Sequence, residues 1–297
     1  MKLDFLTDLN SEIKRLLTEY GLPTPSPKQL RSQDKRTETE KNNIAHYDLK
    51  NLLIHFFSVH ERLVPINKWN VHISSKLTSE PKIKDIVSKL SNGENINNLL
   101  SNRVRKTDQA KFADLLLSEW GIHHFHFQEH RSSELLFIFF TDADAYVIDI
   151  LEHEKRDGSI VTWTNTDLIQ TMHDNWPELM KQYVYKVEST TQALSIEERR
   201  ALRSRSSFTT VVVDDGTEYF PMGGGFTSSR HSVLAVSKAN YFIGEVERQQ
   251  LNITQNKASV CEALLHLTSS PELTLKLDEN LCPFIVEVKS NKLINFY

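Results

Sequence analysis

Apolar side chains in the first part of the chain recur at the spacing of an α-helix. Residues 1–21 carry leucine, isoleucine and phenylalanine along one face and end at a glycine, which predicts an N-terminal helix. A second apolar stripe predicts a helix from about Ile44 to Glu61, and a third predicted helix has Pro81 in its first turn and ends at Gly93. Residues 22–43 contain three prolines, many charges and almost no apolar side chains, so we predict a linker there.

The apolar pattern changes to a period of two in the middle of the chain, which is typical of β-strands. Three strands are predicted, at Ile122–Phe127, Glu134–Phe140 and Ala145–Leu151. Their short connections predict that they pair as antiparallel neighbours. In the first strand, alternation places His124 and His126 on one face and phenylalanines on the other. His153 follows the third strand, so an antiparallel sheet would carry it toward His126.

Beyond residue 187 the pattern predicts a second α+β unit. Its predicted elements are a helix at Ile196–Arg205, a hairpin about Asp215-Gly216, a strand at Leu234–Val236, helices at Lys238–Leu251 and Ala258–Leu267, and a closing hairpin about Ser290-Asn291. The predicted fold class is therefore α+β, with a helical N-terminal region, a central small antiparallel sheet with flanking helices, and a C-terminal α+β unit. The expected segments are a helix at 1–21, a linker at 22–43, a helical region at 44–111, the sheet core at 112–186 and the last unit at 187–297.

Composition and charge restrict the class of partner. The chain has 297 residues and a net charge of −4, which argues against a general nucleic-acid binder and against DNA as a partner. The first 17 residues contain no uninterrupted apolar segment and carry acids from position 4, which is unlike a signal peptide. No apolar run approaches the roughly 18 residues of a membrane-spanning helix. Cys261 and Cys282 lie on apolar segments without partners, so we expect two buried thiols in a reducing compartment. These patterns predict a cytoplasmic protein without a membrane partner.

Three local features could contact the phosphates of a polyanion such as RNA. Arg103, Arg105 and Lys106 give an excess of positive charge just before the predicted sheet, although such a run is also typical of a solvated loop. The loop Gly223–Gly225 could hold a phosphate with its amides, or it could be a simple turn between strands. The arginine-rich helix at 196–205 could follow a phosphate backbone, or it could present a solvated face.

The histidines suggest two kinds of site. His124 and His126 are two residues apart on a strand and point the same way, so together with His153 they could ligate one zinc ion. The other kind of site transfers protons and needs no cofactor. A third interpretation is that these side chains only line the solvated face of the sheet.

Cleaving RNA through its own 2′-hydroxyl requires a base, an acid and positive charge beside the phosphorane. Histidine can supply the first two because its pKa lies near neutral pH. We expect His126 and His153 to be base and acid, in either order, and Glu134 to orient them. Arg131 and Lys155 are the expected charge stabilisers.

His126-Phe127, the apolar second and third strands and His153 together resemble the sheet of the RelE/ParE superfamily of bacterial toxins. More narrowly, they resemble the YafQ-like ribosome-dependent mRNA endoribonucleases. Carried over by position, His126 and His153 match that family's two histidines and Glu134 loosely matches its acid. The gap after His126 is longer here, and Leu151-Glu152 replaces the expected glycine and serine. The resemblance covers about residues 112–180.

The resemblance implies a metal-independent endoribonuclease of the bacterial toxin or phage-defence type, without a cofactor. Its implied partners are RNA, free or ribosome-bound, and a protein inhibitor or antitoxin. Two alternatives remain open on the residues alone. One is a non-enzymatic protein-interaction module that binds through the helical arm and the C-terminal unit. The other is a metalloenzyme with histidine ligands.

Overall fold

A computed structural model describes residues 3–25, 44–101, 104, 114–129, 132–153, 162, 166–187, 192–266 and 268–294. The protein belongs to the α+β class, as predicted. Its chain divides into two compact units. The terminal unit contains Met1–Phe57 and Ala235–Tyr297, and the central unit contains Ser58–Val104 and Gln109–Leu234. The segment 187–297, predicted as one unit, is thus divided between the two.

The bounds of the elements are as follows, for the part of the chain that the structure describes. The helices are α1 (Phe5–Glu19), α2 (Ile44–His60), α3 (Lys84–Asn92), α4 (Leu115–Trp120), α5 (Asp167–Asn175), α6 (Pro177–Met180), α7 (Ile196–Ser204), α8 (Val233–Gln255) and α9 (Lys257–Leu264). The strands are β1 (Asn70–Ile73), β2 (Ile122–His126), β3 (Glu134–Phe140), β4 (Asp144–Glu152), β5 (Val184–Lys186), β6 (Val211–Val212), β7 (Glu218–Tyr219), β8 (Leu273–Leu277), β9 (Pro283–Glu287) and β10 (Lys292–Ile294).

Terminal glycines and the periodicity of apolar residues mark several helices of the structure. Helices α3 and α4 both end at a glycine with positive φ, Gly93 at 74° and Gly121 at 69°. The predicted strand at Leu234–Val236 is wrong, because these residues lie in the long helix α8. The apolar residues that mark this helix are four apart, such as Ala235 and Ala239, and both are buried.

The central unit is built on a four-stranded sheet with the order β1-β4-β3-β2. Strands β2, β3 and β4 are antiparallel neighbours, as predicted. Strand β1 is parallel to β4, with His72 opposite Tyr146, so the sheet is mixed and not purely antiparallel. The sequence signal for β1 is weak because no residue of this edge strand is fully buried.

Side chains of β3 alternate between two apolar layers on the two faces of the sheet. Leu135, Phe137 and Phe139 belong to the layer that contains Ile122 and residues of α5, and we call this the α5 layer. Leu136 and Ile138 belong to the layer that contains Phe125 and residues of α3, which we call the α3 layer. Each of these buried side chains contributes about 1.5–3 kcal/mol to folding. The sheet is therefore packed against apolar side chains on both faces.

In the terminal unit, helix α1 covers the edge of a small sheet. Strand order β10-β9-β8 leaves β8 at an edge. Asp8 Oδ2 accepts from the Leu275 N–H at 2.9 Å, and Glu12 Oε2 accepts from the Leu277 N–H at 3.1 Å. Burial raises the pKa of the Asp8 carboxyl. Carboxylates of the helix thus satisfy backbone donors that would otherwise line an open strand edge.

Both cysteines are free thiols, but they are not both buried. Cys261 is half-buried and Cys282 is exposed, so the expectation of two buried thiols is wrong. A tight turn before β9 places Cys282 at the surface, because its N–H donates to Asp278 Oδ1 at 2.7 Å. Within the described ranges, no helix combines the length and the apolar character needed to cross a bilayer.

Candidate active site

The structure brings His126 and His153 together at one end of the central sheet. His126 is the last residue of β2, and His153 follows β4, with its backbone N–H donating to the Ser133 carbonyl at 2.7 Å. The two imidazole centroids are 6.0 Å apart, and the rings are nearly parallel, with 17° between their planes. This is the proximity that the antiparallel strand order predicts.

The two histidines differ in burial and in hydrogen bonding. His126 is 6% exposed, and its Nδ1 accepts a hydrogen bond from the backbone N–H of Ser132 at 3.2 Å. Because an amide N–H can only donate, the neutral His126 ring carries its proton on Nε2. His153 is exposed. The pair therefore combines a buried ring of fixed tautomer with a ring at the surface.

The contact with Ser132 narrows the role predicted for His126. An imidazole that donates a proton in general acid catalysis must first carry protons on both nitrogens. A proton on Nδ1 of His126 would face the Ser132 N–H and break that hydrogen bond. His126 is therefore better suited to donating a hydrogen bond from Nε2 to a developing negative charge, whereas His153 is suited to proton transfer.

Glu134, the expected orienting carboxylate, does not join the pair. Strand register places His126 opposite Leu135, so Glu134, one residue earlier on β3, points toward the α3 layer on the other face. Its carboxylate forms an ion pair with Lys82 Nζ at 2.7 Å. Alternation along the strand is the physical reason for this correction.

A different carboxylate, Asp114, lies on the histidine face. Asp114 is the N-cap of α4, and its Oδ1 accepts from the N–H groups of Leu116 and Leu117, each at 3.1 Å. Its Oδ2 lies 3.3 Å from Nδ1 of His124. Burial alone would raise the pKa of this carboxyl, but His124, Arg62 and the Leu117 N–H together hold that pKa below its ordinary value.

The sequence contained a signal for Asp114 that the helix prediction obscured. An aspartate directly before an apolar helical run is typical of an N-cap. The apolar residues Phe112, Leu115, Leu116 and Trp120 instead predict a helix that already includes Asp114 and ends at Gly121. Arg62 gave no comparable signal, because it follows α2 in sequence and meets Asp114 only through the fold.

Two further histidines of β2, His123 and His124, are partly buried, and both have lowered pKa values. Burial lowers the pKa of His124, and Arg62 and His153 lower it further, while Asp114 acts in the opposite direction. Burial lowers the pKa of His123 to about 4. His123 points toward the other face, where its Nε2–H donates to the Glu61 carbonyl at 3.1 Å. His123 therefore has a structural role in the sheet.

The predicted zinc site is not formed. Among the residues that the structure describes, no three His, Cys, Asp or Glu side chains are arranged to hold a metal ion. His124 directs Nδ1 to Asp114, and His126 directs Nδ1 to the Ser132 amide, so these rings are oriented by protein groups. The set His124, His126 and His153 does not converge as metal ligands.

The glycine loop Gly223–Gly225 is a docking turn and not a phosphate cradle. The Gly223 N–H donates to the Glu119 carbonyl at 2.9 Å, and the Gly225 N–H donates to the Ser118 carbonyl at 2.8 Å. A Cβ at Gly223 would lie 2.4 Å from the Leu117 carbonyl oxygen, so only glycine fits against this end of α4. Its amides are thus committed to the protein's own backbone.

The arginines of α7 are not a uniformly solvated face. Arg199 is buried, and its guanidinium donates to Thr209 Oγ1 at 3.0 Å and to the Thr210 carbonyl at 2.9 Å. Arg203 forms a buried ion pair with Glu119. These two arginines therefore hold α7 against its neighbours and are turned away from a phosphate backbone.

The remaining predicted site residues lie outside the described residues. They are the charge stabilisers Arg131 and Lys155 and the basic run Arg103, Arg105 and Lys106. Their proposed contacts with RNA stay predictions.

Comparison with known protein families, with curated proteins and with solved structures finds no match for this chain. The resemblance to the RelE/ParE superfamily therefore stays a prediction. What the site can do must be argued from its own geometry.

Proposed function

We propose that the protein is an endoribonuclease of the bacterial toxin or phage-defence type, and that it cleaves RNA by metal-independent acid-base catalysis. The observation that supports this function is the His126–His153 pair, with parallel rings 6.0 Å apart. The buried ring is an Nε2–H donor and the other ring is exposed. The two rings can therefore play different chemical roles toward the same phosphodiester.

In this reaction a base takes the proton of the 2′-hydroxyl of RNA, the 2′-oxygen attacks the adjacent phosphorus and the 5′-oxygen leaves. His126 donates a hydrogen bond from Nε2 to a non-bridging oxygen, where negative charge develops. His153 gives a proton to the leaving 5′-oxygen. Arg131 and Lys155 are proposed to add positive charge at the phosphorane. RNA, free or ribosome-bound, is the substrate, the cytoplasm is the place of action, and a protein inhibitor is the expected partner.

The test incubates purified protein with labelled single-stranded RNA, and with ribosome-bound mRNA, in the presence of a chelator. Wild type should produce 2′,3′-cyclic phosphate ends, and His153→Ala should slow cleavage by about 100-fold or more. His126→Ala should lose about 10- to 1,000-fold. His72→Ala is the matched control, because His72 lies on edge strand β1 and pairs with Asp144 at 2.9 Å. Absence of cleavage by wild type, or equal rates for all three variants, would refute the proposal.

A second candidate function, a protein-interaction module, is favoured by one observation on the sheet of β5, β7 and β6. Tyr185 and Phe220 are 49% and 50% exposed, and their rings lie 4.6 Å apart at an edge strand. Exposed aromatic side chains of this kind are typical of interface anchors. This function predicts that no variant cleaves RNA and that Tyr185→Ala with Phe220→Ala abolishes binding of a partner.

A further inference from the structure

Asp114 and His124 lie on the same face of the central sheet as the His126–His153 pair. His124 precedes His126 by two residues on β2, so both side chains leave the strand on one face. Two backbone N–H groups fix Oδ1 of Asp114, and Oδ2 lies 3.3 Å from His124 Nδ1, at ion-pair distance but without the alignment of a hydrogen bond. The carboxylate is therefore held in place before any substrate arrives.

We propose that His124 is the proton acceptor of the site and that Asp114 is the positioning residue that sets the tautomer of His124. This inference rests on the proposed function and supplies the base that RNA cleavage requires.

The tautomer follows from what faces each ring. A carboxylate oxygen beside Nδ1 of His124 favours a proton on that nitrogen, because two lone pairs would otherwise repel each other. The acceptor lone pair of His124 is then on Nε2. His126 has the opposite arrangement, since the Ser132 amide places its proton on Nε2. On the same face of the strand, Nε2 of His124 is thus a proton acceptor, whereas Nε2 of His126 is a hydrogen-bond donor.

Charge around His124 keeps the ring in the form that a base requires. Burial lowers its pKa, Arg62 and His153 lower it further, and Asp114 offsets part of this effect. His124 in turn lowers the pKa of its neighbour His123. The side chain of His124 remains 16% exposed, so its ring is not sealed from a substrate.

The proton balance of the step is complete. Nε2 of His124 takes the proton of the 2′-hydroxyl as the bond between the 2′-oxygen and phosphorus forms. The bond between phosphorus and the 5′-oxygen breaks, and His153, protonated at the start, gives its proton to that oxygen. The products are a 2′,3′-cyclic phosphate and a 5′-hydroxyl, with His124 protonated and His153 neutral. Proton exchange with water restores the starting state.

Asp114→Asn is the decisive variant because it keeps the shape and the cap. Asparagine caps a helix about as well as aspartate, so Oδ1 can still accept from Leu116 and Leu117. The amide nitrogen of the new asparagine then faces His124 Nδ1. Because this NH2 group can only donate, Nδ1 must accept, and the proton of the His124 ring moves to Nε2. Asp85→Asn is the matched control, since Asp85 is 72% exposed on α3 and removing its charge affects only an ion pair with Lys89.

Asp114→Asn should lower kcat by about 100-fold or more and change KM by less than about threefold, because it disables proton transfer without touching substrate. The limb of the kcat profile that reports the base should move to lower pH, since the carboxylate that raises the pKa of His124 is gone. Nitrogen NMR of the His124 ring should show its proton on Nδ1 in wild type and on Nε2 in the variant. Asp85→Asn should match wild type in all three measurements.

The outcomes separate this inference from the proposed function. If wild type cleaves RNA and Asp114→Asn cleaves it at the same rate with the same pH profile, the role of Asp114 is refuted and the proposed function stands. If His124 in wild type carries its proton on Nε2, the tautomer argument is refuted regardless of activity. If wild type does not cleave RNA, both proposals fall.

Discussion

Acidification should destabilise the central unit in part through one partly buried side chain, His123. Its ring stacks on Phe125 at 6.3 Å and meets Phe140 edge-on at 5.3 Å, while Nε2–H donates to the Glu61 carbonyl. Burial lowers the pKa of His123 from 6.5 to about 4. The unfolded chain therefore takes up a proton near pH 6.5, but the folded protein does so only near pH 4.

The sign and size of the effect follow from this difference. Between the two pKa values the unfolded state binds more protons, so stability is complete above pH 6.5 and is lost as the pH falls toward 4. At about 1.4 kcal/mol per pH unit, the full loss is about 3 kcal/mol, and about 2 kcal/mol of it has occurred by pH 5. Such a loss is a large fraction of the stability of an ordinary domain.

The assay is urea unfolding followed by tryptophan fluorescence at several pH values between 7.5 and 5. Every tryptophan in the sequence falls between Ser58 and Leu234, so fluorescence follows the central unit. His123→Gln is the comparison, because its amide can donate to the Glu61 carbonyl but cannot titrate. The other titrating groups, His124 among them, are present in both proteins, so wild type should lose about 2 kcal/mol more than the variant. Equal losses in the two proteins would show that His123 is not the responsible group.

Two other predictions concern stability. Gly223→Ala should lower the free energy of unfolding by about 1–3 kcal/mol or more, because the new Cβ would lie 2.4 Å from the Leu117 carbonyl oxygen. The matched change Gly244→Ala places a Cβ with nothing within 4 Å and should stabilise α8 by up to about 1 kcal/mol. Thermal unfolding followed by circular dichroism measures both, and equal shifts would contradict the close contact. Glu134→Gln should cost less than about 1 kcal/mol, because its ion pair with Lys82 is exposed; a larger loss in urea unfolding would show that the pair supports the sheet.

Elements with a complete local signal could be predicted from the sequence. Strand β3 was predicted with its bounds because it is a continuous apolar run between polar turns, and α3 because a proline precedes it and a glycine ends it. The pairing partner of strand β1 could not be predicted from the sequence. It pairs with β4 more than 70 residues away through backbone groups, which leave no pattern in the sequence.

The candidate site shows the same division. Alternation within β2 was enough to place His124 and His126 on one face. Which side chains of β3 lie on the same face as these histidines depends on the register between the two strands. This register places Glu134 on the opposite face, where it pairs with Lys82. Asp114 belongs to the site because the N-terminus of α4, which it caps, lies beside the sheet. Its Oδ2 therefore lies next to His124, which is ten residues away in sequence.

The contact between α1 and β8 sets the order in which the protein can be completed. Asp8 and Leu275 are 267 residues apart, so a ribosome makes the helix long before the strand that it covers. During synthesis, the apolar face of α1 has no access to this partner, and closing so long a loop is slow compared with forming local contacts. The terminal unit can therefore finish folding only after the central unit has been synthesised in full.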